Sequence, residues 1–148
     1  MDHDLIIGHH SIFHALNNNK RHKKELFATE EGLQKFLKTY PTAKKILSSI
    51  QVTMNSKEKF NQIAQNFYKE RNLEYGRIPG QLILVASPLE SLTLDQFFNE
   101  HKSLEKKLKL LALEDVTDVH NGSAIMRSAA FFKVDAVIVE ASNRFGIT

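Results

Sequence analysis

Residues 108–140 read LKLLALEDVTDVHNGSAIMRSAAFFKVDAVIVE, and the order of patterns along this stretch decides the fold class. LKLLAL is a short apolar run ending in Glu114 and Asp115, and DAVIVE is a second run rich in Val and Ile. Both have the length and composition of buried strands. The spacing between them predicts a helix from about Gly122 to Phe132. Strand, helix and strand in that order form a βαβ unit, which is right-handed and parallel. Parallel strands need cover on both faces, so one strand pair with one helix is not a self-sufficient domain.

On a helix of 3.6 residues per turn Ser123, Arg127 and Ala130 share one side, while Ile125, Ala129 and Phe132 share the opposite one, against the sheet. Ala124, Met126 and Phe131 are apolar as well, so this helix is expected to be covered on several sides, with the Arg127 guanidinium partly buried. A charge in such a place needs a partner. Two readings stay open here: a structural ion pair with Asp115 or Asp118, or a position at the carboxyl ends of the strands where the arginine holds an anion such as phosphate. Asn121 is expected to be the N-cap. Glu114 and Asp115 are adjacent on an extended chain and point to opposite faces, which excludes them as a cooperating acid–base pair.

Towards the N-terminus the patterns alternate. LIIGHHSIFHALNNN opens on an apolar run and continues with Ile12, Ala15 and Leu16 at helical spacing before three asparagines stop it. ELFA and IQVTM are short strands, and Thr29 starts a helix that Pro41 splits or kinks. Asn55 and Glu58 have the form of a capping box ahead of Phe60, Ile63, Ala64 and Phe67. YGRIPGQ is turn chemistry, and QLILVA is a buried strand. SPLESLTLDQFFNEHKSLEKK has the character of a linker with one short helix around Leu94, Phe97 and Phe98. The expected organisation is therefore an α/β chain with a small alternating domain over 1–86, a linker over 87–106 and a second, incomplete unit over 107–148. Alternation of this kind implies a mostly parallel or mixed sheet covered by helices.

Composition narrows the function classes. The 148 residues contain no cysteine, which excludes disulfides and thiolate metal sites and suits a reducing cytoplasm. The acidic start MDHDLIIGHH is unlike a signal peptide, and no apolar stretch reaches membrane-spanning length; a cytoplasmic protein without a membrane partner is expected. Residues 1–85 hold 13 Lys/Arg against 8 Asp/Glu, whereas residues 86–148 hold 7 against 9. The basic front half suits a polyanion, and KRHKK at 20–24 is its densest patch. His10 and His14 stand four apart on one helix face, a metal-binding spacing with no third ligand in view. Phe97 and Phe98 are expected to pack in the core or linker rather than to stack on bases.

The run from Leu110 to Val139 closely resembles the first conserved motif of the SpoU (TrmH) group of RNA ribose 2′-O-methyltransferases, in the SPOUT superfamily. Asp118, Asn121, Ala124, Arg127 and Ala129 match that motif position by position. The resemblance implies that Asn121 and Arg127 belong to a catalytic site, with the arginine engaging RNA phosphate or helping to activate the ribose 2′-hydroxyl. GHHSIFHAL resembles the opening of the substrate-binding domain that precedes the catalytic domain in many members, with Gly8 and His10 on patterned positions. That domain is similar in fold to ribosomal and kink-turn RNA-binding proteins. RNA contacts are accordingly expected from His10, Lys20, Arg21, Lys23 and Lys24.

The chain departs from the motif at Val119, where the family has proline, and at Gly122 and Ser123, which stand in place of an aliphatic residue and a glycine. IPGQLIL stands where His-Gln-Gly is common before the last strand of the front domain. The resemblance further implies S-adenosylmethionine as cofactor, structured rRNA or tRNA as partner, and a homodimer in complete members. In the family the cofactor is bound mostly by a knotted segment that this chain is expected to lack, and no G-x-G-x-x-G turn supplies another methyltransferase site. Two functions therefore stand side by side: part of an RNA 2′-O-methyltransferase, inactive alone, or a non-catalytic RNA-binding module.

Overall fold

The computed structural model describes residues 3–102, 107–116 and 118–140, with backbone only at 119 and 120. These residues form a small mixed α/β protein and fall into two compact units, one within Met1–Leu89 and the other within Glu90–Ile147.

The first unit runs β1 (Asp4–Ile7), α1 (His9–Asn17), β2 (Glu25–Ala28), α2 (Glu30–Thr39), α3 (Ala43–Leu47), β3 (Gln51–Met54), α4 (Lys57–Glu70), a 3₁₀ turn (Pro79–Gln81) and β4 (Leu82–Ala86). The four strands lie in the order β1-β4-β2-β3. β4 is antiparallel to β1 and β2, and β2 is parallel to β3. Strand alternation sorts the apolar side chains by face. Ile6, Leu26, Leu82, Leu84 and Ala86 pack with residues of α1, α2 and α3, while Leu5, Ile7, Phe27, Ile83 and Val85 pack with Phe60, Ala64, Phe67 and Tyr68 of α4. The central strand β4 is buried on both faces, with Leu82, Ile83 and Leu84 fully inside.

Local chemistry sets the helix ends. Thr29 caps α2 by accepting from the Gly32 amide, and Pro41 falls in the break between α2 and α3. The cap of α4 is Ser56 rather than the expected Asn55; its hydroxyl accepts from the Lys59 amide at 3.2 Å. The shift by one residue follows from β3, which ends at Met54 and leaves Asn55 to bond back to the Ala28 carbonyl at 2.9 Å.

The second unit contains α5 (Leu94–His101), β5 (Leu110–Leu113), α6 (Val119–Phe131) and β6 (Ala136–Val139). A capping box between Thr93 and Gln96 starts α5. β5 and β6 pair in parallel from Leu110–Ala136 to Leu113–Val139. Lys109 closes the start of this pair: its amide donates to the Asp135 carboxylate at 2.8 Å, and its carbonyl accepts the Asp135 amide.

The helix between the strands begins three residues earlier than the spacing predicts. It is also far more exposed than its composition suggests. Ala129 and Gly122 are buried, but Phe131 and Phe132 are 81% and 65% exposed. Phe132 does not pack on the sheet as expected, because α6 ends at Phe131. Lys133 then turns the chain at φ 52°, and the Val134 amide returns to the Ala129 carbonyl at 2.9 Å.

Candidate functional site

The carboxyl end of β5 and the first turn of α6 build one candidate site. Asp115 adopts φ 51°, a left-handed conformation that Asp tolerates better than most residues, and the chain reverses there towards the helix. Asp118, not Asn121, is the N-cap: its Oδ1 accepts from the Asn121 amide at 2.8 Å. Asn121 thus stands inside the first turn. Its side chain, with Asp115, Val116, Asp118, Ala124 and Ile125, lines an open depression of about 440 Å³. Two carboxylates and an amide suit hydrogen-bond donors and cations and oppose phosphate.

Arg127 does not line that depression. It is exposed, which corrects the expected partial burial, and among the described residues it makes no ion pair with Asp115, Asp118 or any other carboxylate, so the structural ion pair, one of the two readings, is not formed. Helix geometry gives the reason. Arg127 lies six positions after Asn121, which places them about 9 Å apart along the axis and about 120° apart around it. The two motif residues therefore do not converge on one point within this unit.

The first unit carries the basic residues. KRHKK lies between α1 and β2, and its members have different fates. Arg21 is 8% exposed; its Nη1 donates to the Asp4 carboxylate at 2.5 Å and to the Ser87 carbonyl at 2.9 Å. The Lys24 Nζ donates to the Leu16 and Asn18 carbonyls at 2.7 and 2.9 Å, at the open C-terminal end of α1. Burial, and secondarily the Arg21 charge, hold its pKa below the ordinary lysine value. Lys20 and Lys23 are exposed, and Lys23 sits at φ 45°.

His10 lies at the other end of α1. A nine-residue helix is about 13 Å long, so His10 and the basic loop are not brought together. Instead His10 joins an aromatic group that sequence reasoning missed. Its Nδ1 is 3.3 Å from the Tyr40 hydroxyl, its ring meets His14 edge-on at 4.4 Å, and Tyr40 stacks on Phe13 at 4.4 Å. Tyr40 enters because α2 ends beside α1, a tertiary contact that no local pattern encodes. His9 takes a structural place: its Nε2 is 3.4 Å from the Gly80 carbonyl and its ring meets Phe36.

Among the described residues, no group of three or more His, Cys, Asp or Glu side chains is placed to hold a metal ion, and no helix is long and apolar enough to cross a membrane. The chain matches no family model and no curated protein.

Proposed function

We propose that this chain is part of an RNA ribose 2′-O-methyltransferase of the SpoU family, in which the Met1–Leu89 unit holds structured rRNA or tRNA and α6 carries motif residues of the catalytic domain. The single observation that carries this reading is the sequence match at Asp118, Asn121, Ala124, Arg127 and Ala129. Asp118 caps, and the other four residues lie on, a helix that follows a parallel strand, with Asn121 in its first turn beside the strand's carboxyl end, where open α/β sheets bind ligands. The first unit, with helices on both faces of a mixed sheet, is the substrate-binding domain of this proposal, similar to kink-turn and ribosomal proteins; residues 87–106 are the linker and 107–148 the beginning of the SPOUT domain.

The crevice residues do not fit S-adenosylmethionine. A cofactor of that size is held in a cleft that buries most of it, whereas this depression is open and acidic. In the proposal Asn121 offers an amide to a ribose hydroxyl, and Arg127, on a different side of α6, contacts phosphate that the RNA or a second copy of the domain brings to it.

A second reading has its own observation. The first unit owns a two-sided core, whereas the second buries only Gly122 and Ala129 among its described residues. A non-catalytic RNA-binding module fits that imbalance.

One experiment with two measurements tests both readings. The chain is titrated with a structured rRNA or tRNA fragment over a range of salt, and ribose methylation by the complete gene product is followed with labelled S-adenosylmethionine. Binding should weaken as salt rises, and Lys20→Ala or Lys23→Ala should each lower the log–log salt slope by about one. No binding at low salt would remove both readings. Methyl transfer that Arg127→Ala abolishes supports the enzyme; transfer unchanged by that substitution removes the catalytic assignment.

A further inference from the structure

β1 is an edge strand, paired with β4 on one side only. Half of an edge strand's backbone donors and acceptors face away from its sheet and are open to another strand. The His3 carbonyl marks the outward side, since it accepts from Arg71 Nη2 at 3.0 Å. With a period of two, Leu5 and Ile7 present their backbone groups outward as well.

No proline or lysine lies in DLII, and among the described residues no strand pairs with its outer side. A cavity of about 360 Å³ runs beside it instead, lined by the whole strand, His3, Ser11, Tyr68, Arg71 and Leu73. Tyr68 and Leu73 provide apolar surface on the α4 side, and Leu73 is 56% exposed. At the His3 end stands Arg71. Its Nη1 donates to the Phe67 carbonyl at 3.2 Å and its guanidinium lies 5.8 Å from the centre of the Phe67 ring. Among the described residues it meets carbonyls and a ring but no carboxylate. The one acid in the lining, Asp4, is already paired with Arg21.

We propose that this groove is a docking site for an extended peptide of another protein that adds a strand to β1 and places an acidic side chain on Arg71. Backbone bonding along Leu5 and Ile7 supplies affinity, while alternate side chains set specificity: apolar ones against Tyr68 and Leu73, a carboxylate at the His3 end. Charge complementarity selects the occupant. Arg71 offers guanidinium N–H groups in the geometry that carboxylates match, and its unit is basic. One arginine beside a strand edge is a poor track for RNA, which needs a succession of phosphate contacts.

The test uses the full chain and a fluorescein-labelled octapeptide of alternating threonine and valine that ends in two glutamates. This peptide should bind at least about tenfold more tightly than one ending in two lysines, and should slow hydrogen exchange at the Leu5 and Ile7 amides. Arg71→Glu should reverse the preference between the peptides. Leu73→Asp, at an exposed position, should weaken the acidic peptide about tenfold and keeps the test valid if the first variant fails to fold. Equal binding of both peptides, binding without protection at Leu5 and Ile7, or capture of a single-stranded RNA octamer in place of the peptide would each overturn the proposal.

Discussion

Replacing Arg21 with methionine removes a cation that a basic loop would be expected to display to a polyanion. In the folded unit that guanidinium is instead 8% exposed, 2.5 Å from the Asp4 carboxylate and 2.9 Å from the Ser87 carbonyl. The substitution leaves a largely buried carboxylate without its counter-ion, which costs about 3–5 kcal/mol. A stranded carbonyl adds to this, although the two losses share one group and do not sum. Against a domain stability on the order of 5–15 kcal/mol the effect is large. It corresponds to a fall in Tm of roughly 12–40 °C for a domain of this size. The double variant Arg21→Met with Asp4→Leu should recover to within about 1 kcal/mol of the parent, because an apolar pair of similar volume removes both desolvation costs. Urea unfolding of the four proteins of this cycle measures the coupling directly. An Arg21→Met protein that unfolds at the parent's urea concentration, yet shows a flatter salt dependence of RNA binding, would refute the reasoning and return Arg21 to the interface.

Two further outcomes follow from single contacts. Gly80 has φ 74° and a Cβ added there falls into the His9 ring, so Gly80→Ala should cost about 1–3 kcal/mol; Gly76→Ala, with open space around it, should stay within about 0.5 kcal/mol. Equal effects of the two in thermal unfolding would contradict the packing of His9 on the Pro79–Gln81 turn. Glu31 accepts a hydrogen bond from Lys35 at 2.6 Å; this bond first, and the lysine charge second, hold its carboxyl below the ordinary 4.5. Because the folded-state value is the lower one, the stabilisation is present above about pH 4.5 and drains away as the pH falls through the depressed value. An NMR titration in which Lys35→Gln leaves the Glu31 pKa unmoved would exclude Lys35 as the cause.

Much of the local structure was legible in residue patterns. Strands at ELFA, QLILVA, LKLLAL and DAVIVE, the cap at Thr29 and the break at Pro41 are each specified by neighbours within a few positions, where apolar periodicity and backbone chemistry act. The caps expected at Asn55 and Asn121 belong to Ser56 and Asp118, because Ser, Asp and Asn all accept hydrogen bonds from a helix's first amides. The backbone path, which only the folded chain fixes, selects among them. Lys133 turns the end of α6 in a conformation that glycine usually supplies, so no composition signal announced it.

The sequence by itself determined the α/β class, the order of elements and the basic character of the front half. Tertiary structure alone decided which charges are free to act. Within KRHKK it buried Arg21 on Asp4, tied Lys24 to the end of α1 and left Lys20 and Lys23 at the surface. It joined Tyr40 to His10, and it left Arg127 exposed rather than partly buried. The physical reason is that a side chain's availability depends on desolvation and on partners brought from distant positions. Spacing along the chain records neither.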